Sequence, residues 1–168
     1  PRSTLFPYTT LFRSQKNQAR VLFVCLGNIC RSPAAEAVFK AKAFAHGLHP
    51  MVDSAGTSAW HHGEKADARM RQAATKRGYN ITSTSRPFNR NDFDNFDLIV
   101  AMDNHNFDDL KDLAHTTEEE AKIVKMADFL SRHQMDHIPD PYYGGSDGFN
   151  LVIDLLEDAS EGLLKKLI

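Results

Sequence analysis

Cysteine is nearly missing from this chain. There are two in 168 residues, Cys25 and Cys30, and both fall in one short loop. Two thiols make no disulfide framework, which points to a reducing, cytoplasmic setting. No apolar run approaches the roughly twenty residues of a membrane-spanning helix, so no membrane partner is expected. Dense Lys/Arg blocks are absent and the formal net charge is −2, so nucleic acid is not an expected partner either. A zinc site wants four ligands, and no second cysteine pair exists to complete one. Repeats, low-complexity tracts and internal linkers are also missing. What is there, 42% hydrophobic and 25% charged residues, suits one domain of ordinary size with a real core.

Residues 1–14, PRSTLFPYTTLFRS, are set apart from this domain. The sequencing-adapter segment CCC TAC ACG ACG CTC TTC CGA TCT encodes Pro7 to Ser14, and the bases before it encode Pro1 to Phe6 in the same frame. The alternative is a genuine N-terminal extension, or a targeting peptide, since the stretch has arginines and no acids. We read it as an adapter-derived artefact, 15–19 as a short tail and 20–168 as a single domain. Without Arg2 and Arg13 the charge of −2 becomes −4.

From Arg20 onward strands alternate with helices. Val21 to Cys25 is a short β-branched run that fits a buried strand. Gly27 and Asn28 accept positive φ and suit a tight loop. Ser32-Pro33 reads as an N-cap followed by the first helical residue, with a helix over Ala34 to Ala45 stopped by Gly47. Met51 to Ser54, Leu98 to Met102 and Lys122 to Met126 are the further strands. Helices are expected over Ala66 to Arg77, over Asn104 to Leu113, and from Phe149 onward, where apolar residues recur at helical spacing. PDPYYGGSDG is a loop. This order predicts an α/β fold on a mostly parallel sheet.

In such sheets ligands bind beyond the carboxyl ends of the strands, near a topological switch point. The loop Cys25 to Arg31 belongs there. The backbone N–H groups of Leu26, Gly27, Asn28, Ile29 and Cys30 are placed to converge on an anion, and the following helix adds its positive end. Arg31 supplies a planar fork that suits two phosphate oxygens. A sulfur at the centre of this cradle is favoured as thiolate. Cys25 is therefore the candidate nucleophile for phosphoryl transfer through a phosphocysteine, with Arg31 and the loop amides on the equatorial oxygens. Ser32 is placed to donate to the Cys25 sulfur. Either residue alone has a bland reading, a buried small hydrophobe or a solvated arginine. Joined as Cys-x5-Arg-Ser between a strand and a helix, they favour the chemistry.

At these residues the sequence resembles the low-molecular-weight protein tyrosine phosphatases. The resemblance rests on VLFVCLGNICRSPAAEAVF, DSAGTSAWH, LIVAMD and DPYYGG, and covers Arg20 to Ile168. It implies a three-layer α/β/α sandwich with a four-stranded parallel sheet and the phosphate-binding loop after the first strand. It implies hydrolysis of phosphotyrosine or small aryl phosphates with no metal or organic cofactor, by a monomer or weak dimer. It also makes Asp140, on its proline-pinned loop, the general acid and then the base. Asp140 alone would read as a turn aspartate.

Trp60 and Tyr142 are read as aromatic walls of the pocket, with a core position the alternative for Trp60. Tyr143 resembles a position phosphorylated in some relatives, and a packing tyrosine is the equal alternative. Asn28 is expected to brace the loop. Ser54 matches a family position that bonds Asn28, and the chain departs from the family at Ser83, where many members carry histidine. His61, His62 and Glu118 to Glu120 are expected to be solvated, and Asp103 to cap a helix. Cys30 is expected to trap an oxidised Cys25 as a reversible disulfide, with simple loop filling the alternative. Arsenate reductase chemistry on the same fold would need cysteines downstream of Cys30, and there are none. A phosphate-binding module without catalysis would be favoured had Cys25, Arg31 or Asp140 been lost.

Overall fold

A computed structural model describes residues 19–168; the adapter reading of residues 1–14 lies outside them. Four strands, β1 (Arg20–Cys25), β2 (Met51–Gly56), β3 (Leu98–Ala101) and β4 (Ile123–Lys125), form one sheet in the order β2-β1-β3-β4. All three pairings are parallel. The helices are α1 (Arg31–Ala45), α2 (Ala68–Lys76), α3 (Asp92–Asn95), α4 (Asn104–Leu113), α5 (Thr117–Ala121) and α6 (Ser146–Leu167), with a 3-10 turn over Met126–Phe129.

Alternation along β1 divides the core. Val21, Phe23 and Cys25 face a cluster built with α1, α2 and α6, where Phe39, Met70, Phe149 and Leu156 are buried. Leu22 and Val24 face the opposite cluster with Phe93, Ile99 and Leu110. Two covered faces are what a nearly all-apolar β1 requires. Phe23 meets Phe39 edge-on, with ring centroids 5.6 Å apart. Burying a side chain of that size is worth about 1.5–3 kcal/mol.

β1 continues to β2 on one side, and the chain then crosses to β3 on the other. The switch point therefore falls at the carboxyl end of β1, which is Cys25.

Several boundaries differ from the sequence reading. The first helix begins at Arg31, with Cys30 at its cap position and no side-chain cap bond. Ser32 thus lies inside the first turn and is not the N-cap. Its hydroxyl turns to Cys25 instead. In the loop Asn28 has positive φ (57°), and Gly27 does not. A Cβ on Gly27 would sit 3.1 Å from His61 Cδ2, so close approach, not handedness, favours glycine there. Gly47 has φ of 76° just past α1, as a C-terminal stop requires. The second helix starts at Ala68, two residues late, because the Asp67 side chain accepts from Arg69 N and caps it. α3, α5 and the 3-10 turn were not anticipated, since four or five residues leave no room for a helical period.

One buried charge fixes α6 to the chain before the acid-bearing loop. Asp158 is fully buried and accepts from the backbone N–H groups of Ser131, Arg132 and His133, from the Ser131 hydroxyl, and from His133 Nδ1. Burial opposes its charge, but the bonds from His133 and Ser131 outweigh it and hold the carboxyl far below its ordinary range. A depressed folded pKa contributes stability that is complete above the ordinary carboxylate pKa of about 3.9 and is lost as pH falls below it. Asp158→Asn is expected to cost about 3 kcal/mol at neutral pH. In urea titrations its gap from the parent should narrow in acid; a gap that stays constant down to the acid limit would refute this.

Candidate active site

The loop from Leu26 to Cys30 is held from outside by its carbonyls. Thr57 N donates to Cys25 O, Ser58 N to Leu26 O and Asp67 N to Ile29 O, each at 2.8–2.9 Å. Ser85 Oγ donates to Gly27 O at 3.0 Å. Among the described residues no backbone N–H from Leu26 to Cys30 donates to a protein acceptor. With the carbonyls claimed from behind, the N–H groups are left for an anion above Cys25.

Asn28 locks this conformation. Its Nδ2 donates to Ser32 Oγ at 2.7 Å, and its Oδ1 accepts from Arg86 N at 3.0 Å. Because Ser32 Oγ already accepts from Asn28, its own proton is free to be donated. Cys25 Sγ lies 3.0 Å away and Ala55 O 3.4 Å, so the sulfur is the nearer acceptor. The side chains of Asn28 and Ser32 are buried behind the loop and do not line the cavity in front of it.

That cavity, about 70 Å³, is lined by Cys25, Leu26, Ile29, Arg31, Asp140 and Tyr142 among others. Gly27, Cys30, Trp60, His61 and Tyr143 complete it. A larger groove of about 510 Å³ lies against α1 near Phe44 and Ile81, but it contains neither cysteine, Arg31 nor Asp140. Chemistry, not size, selects the small one.

Arg31 is buried, and Nη1 donates to Asp103 Oδ2 at 2.6 Å and to Ile138 O at 3.0 Å. Its Nη2 stands 3.6 Å from Asp140 Oδ2. Burial works against the guanidinium charge, but Cys25, Asp103 and Asp140 more than restore it and raise its pKa. Asp103 shows the reverse: burial disfavours its charge, while Arg31 and the Asn106 N–H lower its pKa. Asp140 sits between Pro139 and Pro141, more than a third exposed, with Oδ1 accepting from Tyr142 N at 3.0 Å. One basin thus holds a sulfur, a fixed guanidinium fork and a carboxylate at the rim.

The chain as a whole matches a known family. The model for low molecular weight phosphotyrosine protein phosphatases matches residues 20–168. The chain belongs to that family. A putative low molecular weight protein-tyrosine-phosphatase of Synechocystis is 45% identical over 150 residues, spanning 88% of this chain and 96% of the relative. A low molecular weight protein-tyrosine-phosphatase of Streptomyces coelicolor is 44% identical over 150 residues, spanning 86% and 91%. The crystal structure of a protein tyrosine phosphatase from Entamoeba histolytica, with Hepes in the active site, superposes with a TM-score of 0.87. It is 51% identical and spans 89% of this chain and 97% of that one. The four-stranded parallel sheet with flanking helices is the family's fold.

Within it, some side chains take partners that the sequence did not reveal. Ser54 Oγ donates to Glu36 Oε1 at 2.8 Å and does not bond Asn28. Arg86 N takes that place, and the Arg86 guanidinium is itself held by Asp53 and Asp92. With serine at position 83, the loop is braced by Ser85 and Arg86. Trp60 is 78% exposed at the cavity rim, which removes the core alternative. Tyr143 is also exposed and meets Tyr142 edge-on at 5.0 Å. His61 is not a solvated bystander: it lines the cavity, with Nδ1 2.9 Å from Glu64 Oε2. His62 is exposed. Among the described residues no group of three His, Cys, Asp or Glu is placed to hold a metal. Glu119 departs from the solvated reading by pairing with Arg90, while Glu118 and Glu120 are exposed. Asp103 caps α4 as expected, but its bond to Arg31 had no local signal. A clue lay in its position just past β3, whose neighbour is β1.

Proposed function

We propose that this protein hydrolyses aryl phosphate monoesters, phosphotyrosine in proteins first among them, through a phosphocysteine on Cys25. The observation that carries the reading is Cys25 Sγ at the floor of the cavity, 3.0 Å from the Ser32 hydroxyl, with Arg31 and Asp140 on the same opening. The sulfur attacks phosphorus as thiolate while the P–O bond to the aryl group breaks. Asp140, in its acid form, gives its proton to the departing oxygen. Arg31 and the N–H groups of Leu26, Gly27, Asn28, Ile29 and Cys30 hold the equatorial oxygens. Water then attacks phosphorus, loses its proton to the Asp140 carboxylate, and the S–P bond breaks to release phosphate. The Ser32 proton stabilises sulfur as it leaves.

Aromatic substrates suit the walls. Leu26, Ile29, Trp60, Tyr142 and Tyr143 present apolar surface to a ring. No helix of the described residues is long and apolar enough to cross a membrane. Both cysteines are free, which fits work in the cytoplasm, and we infer a monomer or weak dimer.

The test is hydrolysis of p-nitrophenyl phosphate and a phosphotyrosyl peptide, with and without EDTA. Activity should be indifferent to the chelator. Asp140→Ala should lower kcat/KM on the peptide by roughly 10²–10³-fold, because its leaving oxygen needs a proton. An Asp140→Ala enzyme as active as the parent would remove the acid from the mechanism.

Cys30 is assigned the guarding role. Burial, and after it the negative charges of Asp67 and Cys25, push its thiol pKa well up, so it rests protonated beside the nucleophile. Oxidising Cys25 to sulfenic acid removes one of those charges and supplies the electrophile. The Cys30 sulfur then bonds to the Cys25 sulfur as water leaves, and the disulfide forms. Peroxide inactivation should be fully reversed by dithiothreitol in the parent and largely irreversible in Cys30→Ser. Equal recovery of the two would sink the idea.

A further inference from the structure

We infer that Arg69 is the positioning residue for the acid: it ties the loop that bears Asp140 to the phosphate loop. The inference rests on the reading of Asp140 as general acid. Residues 139–145 run Pro-Asp-Pro-Tyr-Tyr-Gly-Gly, so two of the first three residues have no N–H to donate. Inside the segment, Tyr142 N bonds the Asp140 carboxylate and Gly144 N bonds Pro141 O. Gly148 N of α6 bonds Gly145 O at the segment's end, and in its middle a side chain of another helix reaches the backbone: Arg69 Nη2 donates to Tyr142 O at 3.0 Å. The guanidinium also lies 5.4 Å from the centroid of the Tyr142 ring and 4.8 Å from that of Phe149, which is buried in the first turn of α6. It therefore grips the middle of the segment and the helix that follows it.

The other end of the tie is the phosphate loop. Asp67 holds Arg69 through Oδ1 to Nε at 3.1 Å and Oδ2 to Nη2 at 2.9 Å, a two-point pair that fixes the plane of the fork. The same Asp67 donates its backbone N–H to Ile29 O at 2.8 Å. One unbroken run of bonds thus leads from the phosphate loop through Asp67 and Arg69 to Tyr142, and Tyr142 N holds Asp140. Arg69 touches neither sulfur nor leaving group; it sets the distance between the acid and the phosphorus. A displacement of about 1 Å there costs of order 10²-fold where proton transfer limits the rate.

A residue that acts only through the acid has a signature that a folding role lacks. Arg69→Ala and Arg69→Lys should be compared with the parent and Asp140→Ala on aryl phosphates spanning acidic to basic leaving phenols, with melting temperatures as the fold control. Arg69→Ala should lose about tenfold or more in kcat/KM on phenyl phosphate and under threefold on the most acidic phenol. Arg69→Lys keeps a charge but not the fork and should rescue little. In the Asp140→Ala background Arg69→Ala should cost nothing further. An equal loss across all leaving groups, or a full additional loss without Asp140, overturns the inference, and so does no loss at all. If Asp140→Ala itself shows no dependence on leaving group, the acid assignment has failed instead.

Discussion

Cys25→Ser is expected to abolish turnover, by roughly 10⁴-fold or more, on every phosphate monoester the parent accepts. The substitution changes one atom and keeps the loop. Its carbonyls remain bonded by Thr57, Ser58, Ser85 and Asp67, and Asn28 remains locked between Ser32 and Arg86. Phosphate binding should survive for that reason, because the N–H cradle and Arg31 are intact. A serine hydroxyl, however, stays protonated at neutral pH, and among the described residues no base stands behind it. Its neighbour Ser32 Oγ already accepts from Asn28 and is arranged to donate, not to remove a proton. Loss of turnover with retained binding of inorganic phosphate, read by calorimetry, is the expected pattern. Loss of phosphate binding as well would mean that the loop itself had collapsed.

Arg31→Lys is expected to lower kcat by about 10³-fold, although charge is conserved. Arg31 uses Nη1 to grip Asp103 and Ile138 O, which leaves its other nitrogens facing the cavity beside Asp140. A guanidinium performs both tasks at once because its donors are spread around a rigid plane. An ammonium is a point charge: bonded to Asp103 it is withdrawn from the phosphoryl oxygens, and aimed at them it leaves Asp103 unpaired. The loss should appear in kcat more than in KM, since equatorial charge is held most strongly in the transition state. Steady-state kinetics with a melting control decides it. An Arg31→Lys enzyme with kcat close to that of the parent would show that charge alone suffices.

The candidate nucleophile and the loop around it were legible because they are local. Strand, loop and helix follow one another within β1 to α1, and Cys-x5-Arg needs no long-range partner to be recognised. The parallel sheet was legible for a similar reason, since β-branched runs alternated with helical ones. The resemblance brought in Asp140, Trp60 and Tyr142, which line the same cavity; what escaped were the hydrogen-bond partners that lie far along the chain. The Arg31–Asp103 bond spans 72 positions, the Arg86–Asn28 brace 58 and the Arg69–Tyr142 tie 73. Each depends on which loops the fold brings to the carboxyl end of β1, and no periodicity encodes that. Ser32 was rightly expected to face the Cys25 sulfur, and only its capping role was misread, for the opposite reason. Ser-Pro carries the local signature of a helix start, but the tight loop begins the helix two residues earlier, at Arg31, and turns the hydroxyl toward sulfur.

The most direct test of the account is to catch the phosphoryl group on sulfur. The enzyme should be quenched during turnover of p-nitrophenyl phosphate with denaturant at alkaline pH, then digested and mapped by mass spectrometry. A phosphoryl group on Cys25, absent from Cys30 and absent altogether in Cys25→Ser, is the predicted result. Turnover with no phosphoryl group on the protein, or with the group on any residue other than Cys25, would contradict it.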